Sequence, residues 1–183
     1  MRRAGLVLAI WLATLAATVH SEAQPGDFDF YVLALSWSPT WCATAEDAAE
    51  SPQCNADAGL GFVLHGLWPQ FEAGYPEFCD PPERPSRDLI ASALDIMPDR
   101  GLVAHQWRKH GTCSGLDPET YFATARAAFE QIEIPARFDR PAGDERFSPA
   151  DIESAFAGAN PELQPDGLAV ICDGGLFEEV RTA

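Results

Sequence analysis

Apart from His20, the histidines of this 183-residue sequence fall in two short segments. One runs Phe62-Val-Leu-His65-Gly-Leu-Trp68-Pro-Gln70, and the other His105-Gln106-Trp107-Arg108-Lys109-His110-Gly-Thr-Cys113. Imidazole is the side chain whose free pKa lies nearest neutrality, so it is the natural carrier of protons in catalysis. Taken as a helix, the second segment sets Gln106, Lys109 and His110 at i, i+3 and i+4, on one face. His105, one turn before Lys109, borders that face. Two imidazoles, an ammonium and an amide grouped in this way suit a phosphate and extra negative charge upon it. With His65 brought opposite on a strand end, two imidazoles flank one phosphodiester. One takes a proton from the 2′-hydroxyl while the other gives a proton to the departing 5′-oxygen. The nucleophile is then part of the substrate, and neither metal nor cofactor is required.

Other uses of these residues weigh against that reading. A histidine at a strand end is often structural, and Trp68 and Trp107 are by default core aromatics. A zinc site is poorly served, because residues five apart on a helix diverge by about 140°. There is no HExxH, no CxxC and no Cys–His spacing of the zinc type.

The elements that must position these groups follow from the rest of the chain. Arg2 and Arg3, an apolar run from Leu6 to Val19 and the small-x-small Ser21-Glu22-Ala23 describe a secretory signal peptide over residues 1–23. The apolar run is short for a membrane anchor, and no stop-transfer cluster follows. Residues 24–183 are of a length to form one domain. Export implies an oxidising compartment, so Cys42, Cys54, Cys79, Cys113 and Cys172 are first of all a disulfide framework with one cysteine left over. The formal net charge of −16 argues against tight, non-specific binding of nucleic acid, which needs basic patches. It leaves room for a site that grips one phosphate locally, and Lys109, the only lysine, stands beside His110.

Phe28 to Ser36 reads as a buried strand, and residues 42–61 as a polar excursion pinned by a Cys42–Cys54 bridge. Gly61 to His65 is a second strand, stopped by Gly66 and Pro69, and residues 73–86 are loop. Helices are expected over Arg87 to Met97, Ala104 to His110, Asp117 to about Glu133, and Ser148 to Ala157. Strands return at Leu168 to Cys172 and Leu176 to Val180. Strands at both ends around a helical middle indicate α+β, with one sheet flanked by helices.

The two histidine segments resemble the paired motifs of the ribonuclease T2 family, F-x-x-H-G-L-W-P and H-E-W-x-K-H-G-T-C, in order and separation. Leu33 to Cys42, Gly115-Leu-Asp-Pro with Tyr121 and Phe122, and Glu179-Val-Arg181 extend the likeness over residues 25–183. The resemblance implies a central antiparallel sheet flanked by helices. It implies a secreted or periplasmic, monomeric endoribonuclease that cleaves single-stranded RNA through a 2′,3′-cyclic phosphate. Low base specificity follows, with no metal or other cofactor, no action on DNA and no membrane contact once the leader is removed. By the same resemblance His110 is the general base and His65 the general acid, and His105 and Lys109 bind phosphate and stabilise the transition state. Gln106 belongs to this catalytic set, Trp68 stacks a base, and Gln70 joins Trp68 in binding substrate. Cys79–Cys113 fastens the catalytic helix, and Cys42–Cys54 lies near the N-terminus.

Three departures stand out. Gln106 occupies the position of the family's Glu and lacks its charge and proton-transfer capacity. Leu102 and Val103 replace an aromatic pair, so one stacking wall is expected to be missing. The chain stops at Ala183, where members continue and supply another cysteine, so unpaired Cys172 reflects either truncation, the favoured expectation, or a frayed last strand with a free thiol. The acidic balance is expected to raise the histidine pKa values and to give an optimum below neutrality. Two rivals remain open: a secreted binding or inhibitory module of the same fold, and a metal-dependent phosphodiesterase.

Overall fold

The computed structural model describes residues 24–46, 48–55, 57, 59–79, 83–139 and 147–183, and the expected leader, residues 1–23, lies outside them. Four strands, β1 (Phe30–Trp37), β2 (Phe62–Gln70), β3 (Leu168–Asp173) and β4 (Leu176–Thr182), form an antiparallel sheet in the order β2-β1-β4-β3. Five helices accompany it: α1 (Ser38–Thr44), α2 (Arg87–Ser92), α3 (Arg100–Lys109), α4 (Pro118–Gln131) and α5 (Pro149–Ala159). The fold is α+β.

Alternation along the strands sorts the two faces of the sheet. Leu33, Leu35, Trp37, Leu64, Leu67 and Val180 enter the core, where they meet Met97, Val103, Trp107, Tyr121, Phe122 and Phe156. Trp37, Phe62, Phe138 and Phe156 pack largely edge to face, which adds roughly 0.5–1.5 kcal/mol per pair to their burial. The helices start where the chain supplies acceptors for their free N–H groups. Asp99 accepts from the Leu102 N–H at 2.7 Å, Asp117 from Thr120 at 2.8 Å, and Ser148 and Asp151 form a capping box.

Four elements differ from the sequence expectation. Part of the polar excursion is α1, because Pro39 sits in its first turn, where no N–H is needed. β2 does not stop at Gly66 but runs to Gln70, with Pro69 paired to Tyr31. β2 is an edge strand, so a proline there costs no ladder bond, and its outer side is used instead by irregular partners. The Leu64 N–H donates to the Ile96 carbonyl at 2.9 Å, and the Tyr121 hydroxyl donates to the Leu67 carbonyl at 2.7 Å. The first of these bonds also explains why α2 ends at Ser92 rather than Met97: the chain from Ala93 onward unwinds into turns that dock on β2. α3 begins at Arg100, four residues earlier than expected, because Asp99 caps it.

Candidate active site

β2 contains a bulge that decides where His65 points. Leu35 pairs with Leu64 and Ala34 with Gly66, so His65 is the extra residue between them. Without it, strict alternation would send Leu64 and Leu67 to opposite faces. With it, both enter the core, and His65, Gly66 and Trp68 turn to the other face. Gly66 is required there, since a Cβ would collide with the Gln106 Oε1 and Trp68 Nε1 atoms. The small residue lets α3 approach β2.

The result is a cleft of about 350 Å³ lined by His65, Trp68, Gln70 and Tyr75 on one side and His105, Gln106, Lys109 and His110 on the other, with Arg181 from β4. His65 and His110 are joined through Trp68. The His65 ring meets Trp68 edge to face with centroids 5.2 Å apart, and His110 stacks on Trp68 at 5.1 Å and 25°. Trp68 Nε1 donates to Gln106 Oε1 at 2.8 Å, which fixes both residues. Lys109 reaches the cleft mouth, with Nζ 3.5 Å from a Glu77 oxygen and 5.6 Å from the Tyr75 ring centre.

The imidazoles have opposite surroundings. His110 is 4% exposed, and its Nδ1 is buried without a hydrogen-bond partner. Burial, then the charges of Lys109, His65 and His105, lower its pKa to about 3. His105 is lowered too, by burial first and then by Arg108, Lys109 and His65. The expectation that net negative charge would raise these values fails at both positions, because desolvation and nearby cations outweigh a distant, screened field. His65 instead faces a carboxylate: Nδ1 lies 2.5 Å from Glu179 Oε2, while Glu179 Oε1 accepts from Arg181 Nε at 2.6 Å. Burial pushes the Glu179 pKa up, but the bonds and charges of His65 and Arg181 outweigh it and hold the group below its usual value.

Trp68 offers less to a stacking base than its position in the motif suggests. It is 9% exposed, with His110 stacked on it and the Arg181 guanidinium 5.0 Å from its ring centre. The aromatic rings better placed for stacking are Tyr75, 48% exposed in the cleft, and the half-buried Trp41 of α1. Trp41 and Leu102 line a second cleft of about 300 Å³ that opens on His65 and includes Ser36 and Gln53. Leu102 does stand in that wall, and Trp41 supplies an aromatic surface to the same space.

Disulfides join Cys42 to Cys54 and Cys79 to Cys113, and Cys172 is a free, exposed thiol on β3. The second bridge ties the loop bearing Tyr75 and Glu77 to the end of α3. Among the described residues no three His, Cys, Asp or Glu side chains converge as a metal-holding group, and no helix is long and apolar enough to cross a membrane. Glu179, Arg181, Tyr75 and Trp41 are site residues to which motif reading assigns no part. The polar pair Glu179 and Arg181, two apart on a strand flanking buried Val180, is the one local signal that marks them.

The model of the Ribonuclease T2 family matches residues 28–164. The chain is similar to a protein of Aeromonas hydrophila called "Ribonuclease", with 41% identity over 138 residues, covering 73% of this chain and 58% of that protein. It is also similar to "Ribonuclease I" of Escherichia coli (strain K12), with 26% identity over 193 residues, 82% of this chain and 72% of that protein. The chain spans 58% of the Aeromonas protein and 44% of a "Probable ribonuclease" of Haemophilus influenzae. Among solved structures, RNase NT in complex with 5′-AMP superposes with a TM-score of 0.62 at 23% identity, over 85% of this chain and 84% of the other. Trichomaglin, an S-like ribonuclease, gives 0.65 at 21% identity over 85% and 86%. At these identities the structural likeness is one of fold.

Proposed function

The chain belongs to the ribonuclease T2 family, and from that premise we propose that residues 24–183 form an endoribonuclease that cleaves single-stranded RNA by transesterification. The observation that carries the reading is the pair of imidazoles, His65 and His110, facing one cleft with Trp68 between them. His110, with its pKa near 3, is neutral across the working range and serves as the base. It removes the 2′-hydroxyl proton as that oxygen attacks phosphorus. The P–O5′ bond breaks, its electron pair stays on the 5′-oxygen, and His65 donates a proton there. The products are a 2′,3′-cyclic phosphate and a 5′-hydroxyl, and proton exchange with water resets both rings.

Lys109 supplies positive charge, and His105 a ring N–H, to the phosphate as negative charge develops on it. Gln106 contributes an amide donor and holds Trp68. The base of the nucleotide whose ribose supplies the 2′-hydroxyl stacks on Tyr75 beside His110, and the following base enters the second cleft against Trp41. Stacking of this kind tolerates every base, which supports broad specificity. The complexes of RNase NT with 5′-AMP and of RNase MC1 variants with 5′-UMP and 5′-GMP support nucleotide recognition by this fold. Two disulfides support action outside the cytoplasm, in periplasm or medium, as a monomer without a metal.

The test is incubation with RNA in the presence of a chelator. Fragments with 2′,3′-cyclic phosphate ends are expected, absent with His65→Ala and with His110→Ala, while DNA stays intact for want of a 2′-hydroxyl. Cleavage that the chelator stops, or no cleavage at any pH, overturns the reading.

A further inference from the structure

We propose that Glu179 is the positioning residue of His65, its buried carboxylate accepting from Nδ1–H of the imidazolium so that the Nε2–H faces the cleft as the transferable proton, with Arg181 locking that carboxylate in place. The proposal rests on the ribonuclease reading and adds to it the group that makes one of two similar histidines an acid.

The sheet brings the two residues together from 114 positions apart. β1 lies between β2 and β4, and two strand spacings amount to roughly 10 Å. Between His65 and Glu179 the cleft face of β1 carries the small residues Ala34 and Ser36, paired with Arg181 and Glu179 of β4, with Val32 further along. Those small side chains leave a channel above β1, and the bulge in β2 pushes His65 into it. Glu179, with 7% side-chain exposure, fills the channel from the other side. Both of its oxygens are committed, one to His65 Nδ1 at 2.5 Å and one to Arg181 Nε at 2.6 Å.

A carboxylate so far from water is tolerated only when paired, and Arg181 alone would satisfy it at the surface. Its burial under His65 fixes which ring nitrogen is protonated, since a carboxylate accepts and cannot donate. The other charged groups around His65 do not do this work. From α3, Lys109 opposes a positive ring, and neither His105 nor His110 brings a negative charge to it. From the second cleft, Asp99 is engaged in capping α3, and Glu50 makes no hydrogen bond to it. Glu178 lies beside Glu179 on β4, also without a bond to the ring.

The test compares two substrates with Glu179→Gln. A dinucleoside phosphate releases an alkoxide that needs a proton from His65. A nucleoside 3′-(4-nitrophenyl phosphate) releases 4-nitrophenolate, which leaves without one. The proposal predicts that kcat/KM on the dinucleoside phosphate falls on the order of 10- to 100-fold, within the 10²–10⁴ that acid–base catalysis supplies. On the activated ester it changes by less than about threefold, since that route draws on no acid. The ratio of the two rates does not depend on how much variant is folded, and Glu179→Ala repeats it with a larger loss. Equal decline on both substrates, or no decline, overturns the proposal while the wild type's cyclic phosphate product keeps the ribonuclease reading intact. A wild type inert to both substrates overturns the two together.

Discussion

Replacing Gln106 by Glu restores a carboxylate to the helix face that carries His110, and the structure sets the consequence. Position 106 is buried, its Oε1 accepts from Trp68 Nε1 at 2.8 Å, and His110 follows one helical turn later. Side chains at i and i+4 stand roughly 5 Å apart. A new negative charge at that distance, at an effective dielectric constant of about 20, favours imidazolium by roughly 3 kcal/mol, or about two pKa units. His110 begins near 3, held down by burial and by Lys109, His65 and His105, so Gln106→Glu brings it to about 5. The base works only when neutral, and kcat/KM reports the free enzyme. The acid limb of the kcat/KM profile on a dinucleoside phosphate therefore moves upward by about two pH units. Trp68 keeps its acceptor, so the fold survives the change. An acid limb that stays in place, or that moves to lower pH, refutes the coupling between positions 106 and 110 on which the base assignment relies.

Trp41→Ala removes the aromatic wall of the second cleft. Loss of one stacked base costs about 1–3 kcal/mol, and the KM ratio between a dinucleoside phosphate and a 2′,3′-cyclic mononucleotide, which has no downstream base, should rise accordingly; an unchanged ratio excludes stacking there. Asn160 is 1% exposed, donates to the Glu133 and Phe156 carbonyls at 2.9 Å and accepts from the Glu133 N–H at 2.7 Å. Asn160→Asp leaves two buried carbonyls facing a carboxylate and should cost about 3 kcal/mol in urea unfolding; an unchanged midpoint contradicts this. The Cys79–Cys113 bridge spans 34 residues, and chain entropy assigns it about 4 kcal/mol. The double Ala variant should lose about 2–4 kcal/mol of stability and raise KM, because Tyr75 and the Phe78 N–H, which donates to the Lys109 carbonyl at 2.9 Å, lose their tether to α3. A KM equal to wild type disconnects that loop from substrate binding.

The chemistry of α3 is legible in the sequence because it is local: His105, Gln106, Lys109 and His110, four residues at helical spacing, are enough to see one face. The same holds for α4 and α5, whose caps and prolines stand where the helices begin. What sequence reading loses depends on pairing across the sheet. The bulge at His65 is implied by the spacing Phe62, Leu64, Leu67, which breaks the period of two, yet Gly66 and Pro69 read more readily as an end of the strand. Glu179 is invisible as a partner of His65 because the contact needs β1 between them and small residues at Ala34 and Ser36. Bulk charge misleads for a related reason. A chain of net charge −16 builds a cleft in which His65, His105, Lys109, His110 and Arg181 meet, and burial first, then close neighbours such as Lys109, lower the pKa values of His105 and His110.

The central claim is that two imidazoles grip one phosphodiester from opposite sides. A crystal structure of the protein with a dinucleoside phosphate lacking the 2′-hydroxyl at the first sugar tests it most directly, since that ligand binds without reacting. The phosphate is expected between the rings, with His65 Nε2 within hydrogen-bond distance of the 5′-oxygen and His110 beside the first sugar's C2′. A phosphate held by only one of these rings, or seated away from both, contradicts it.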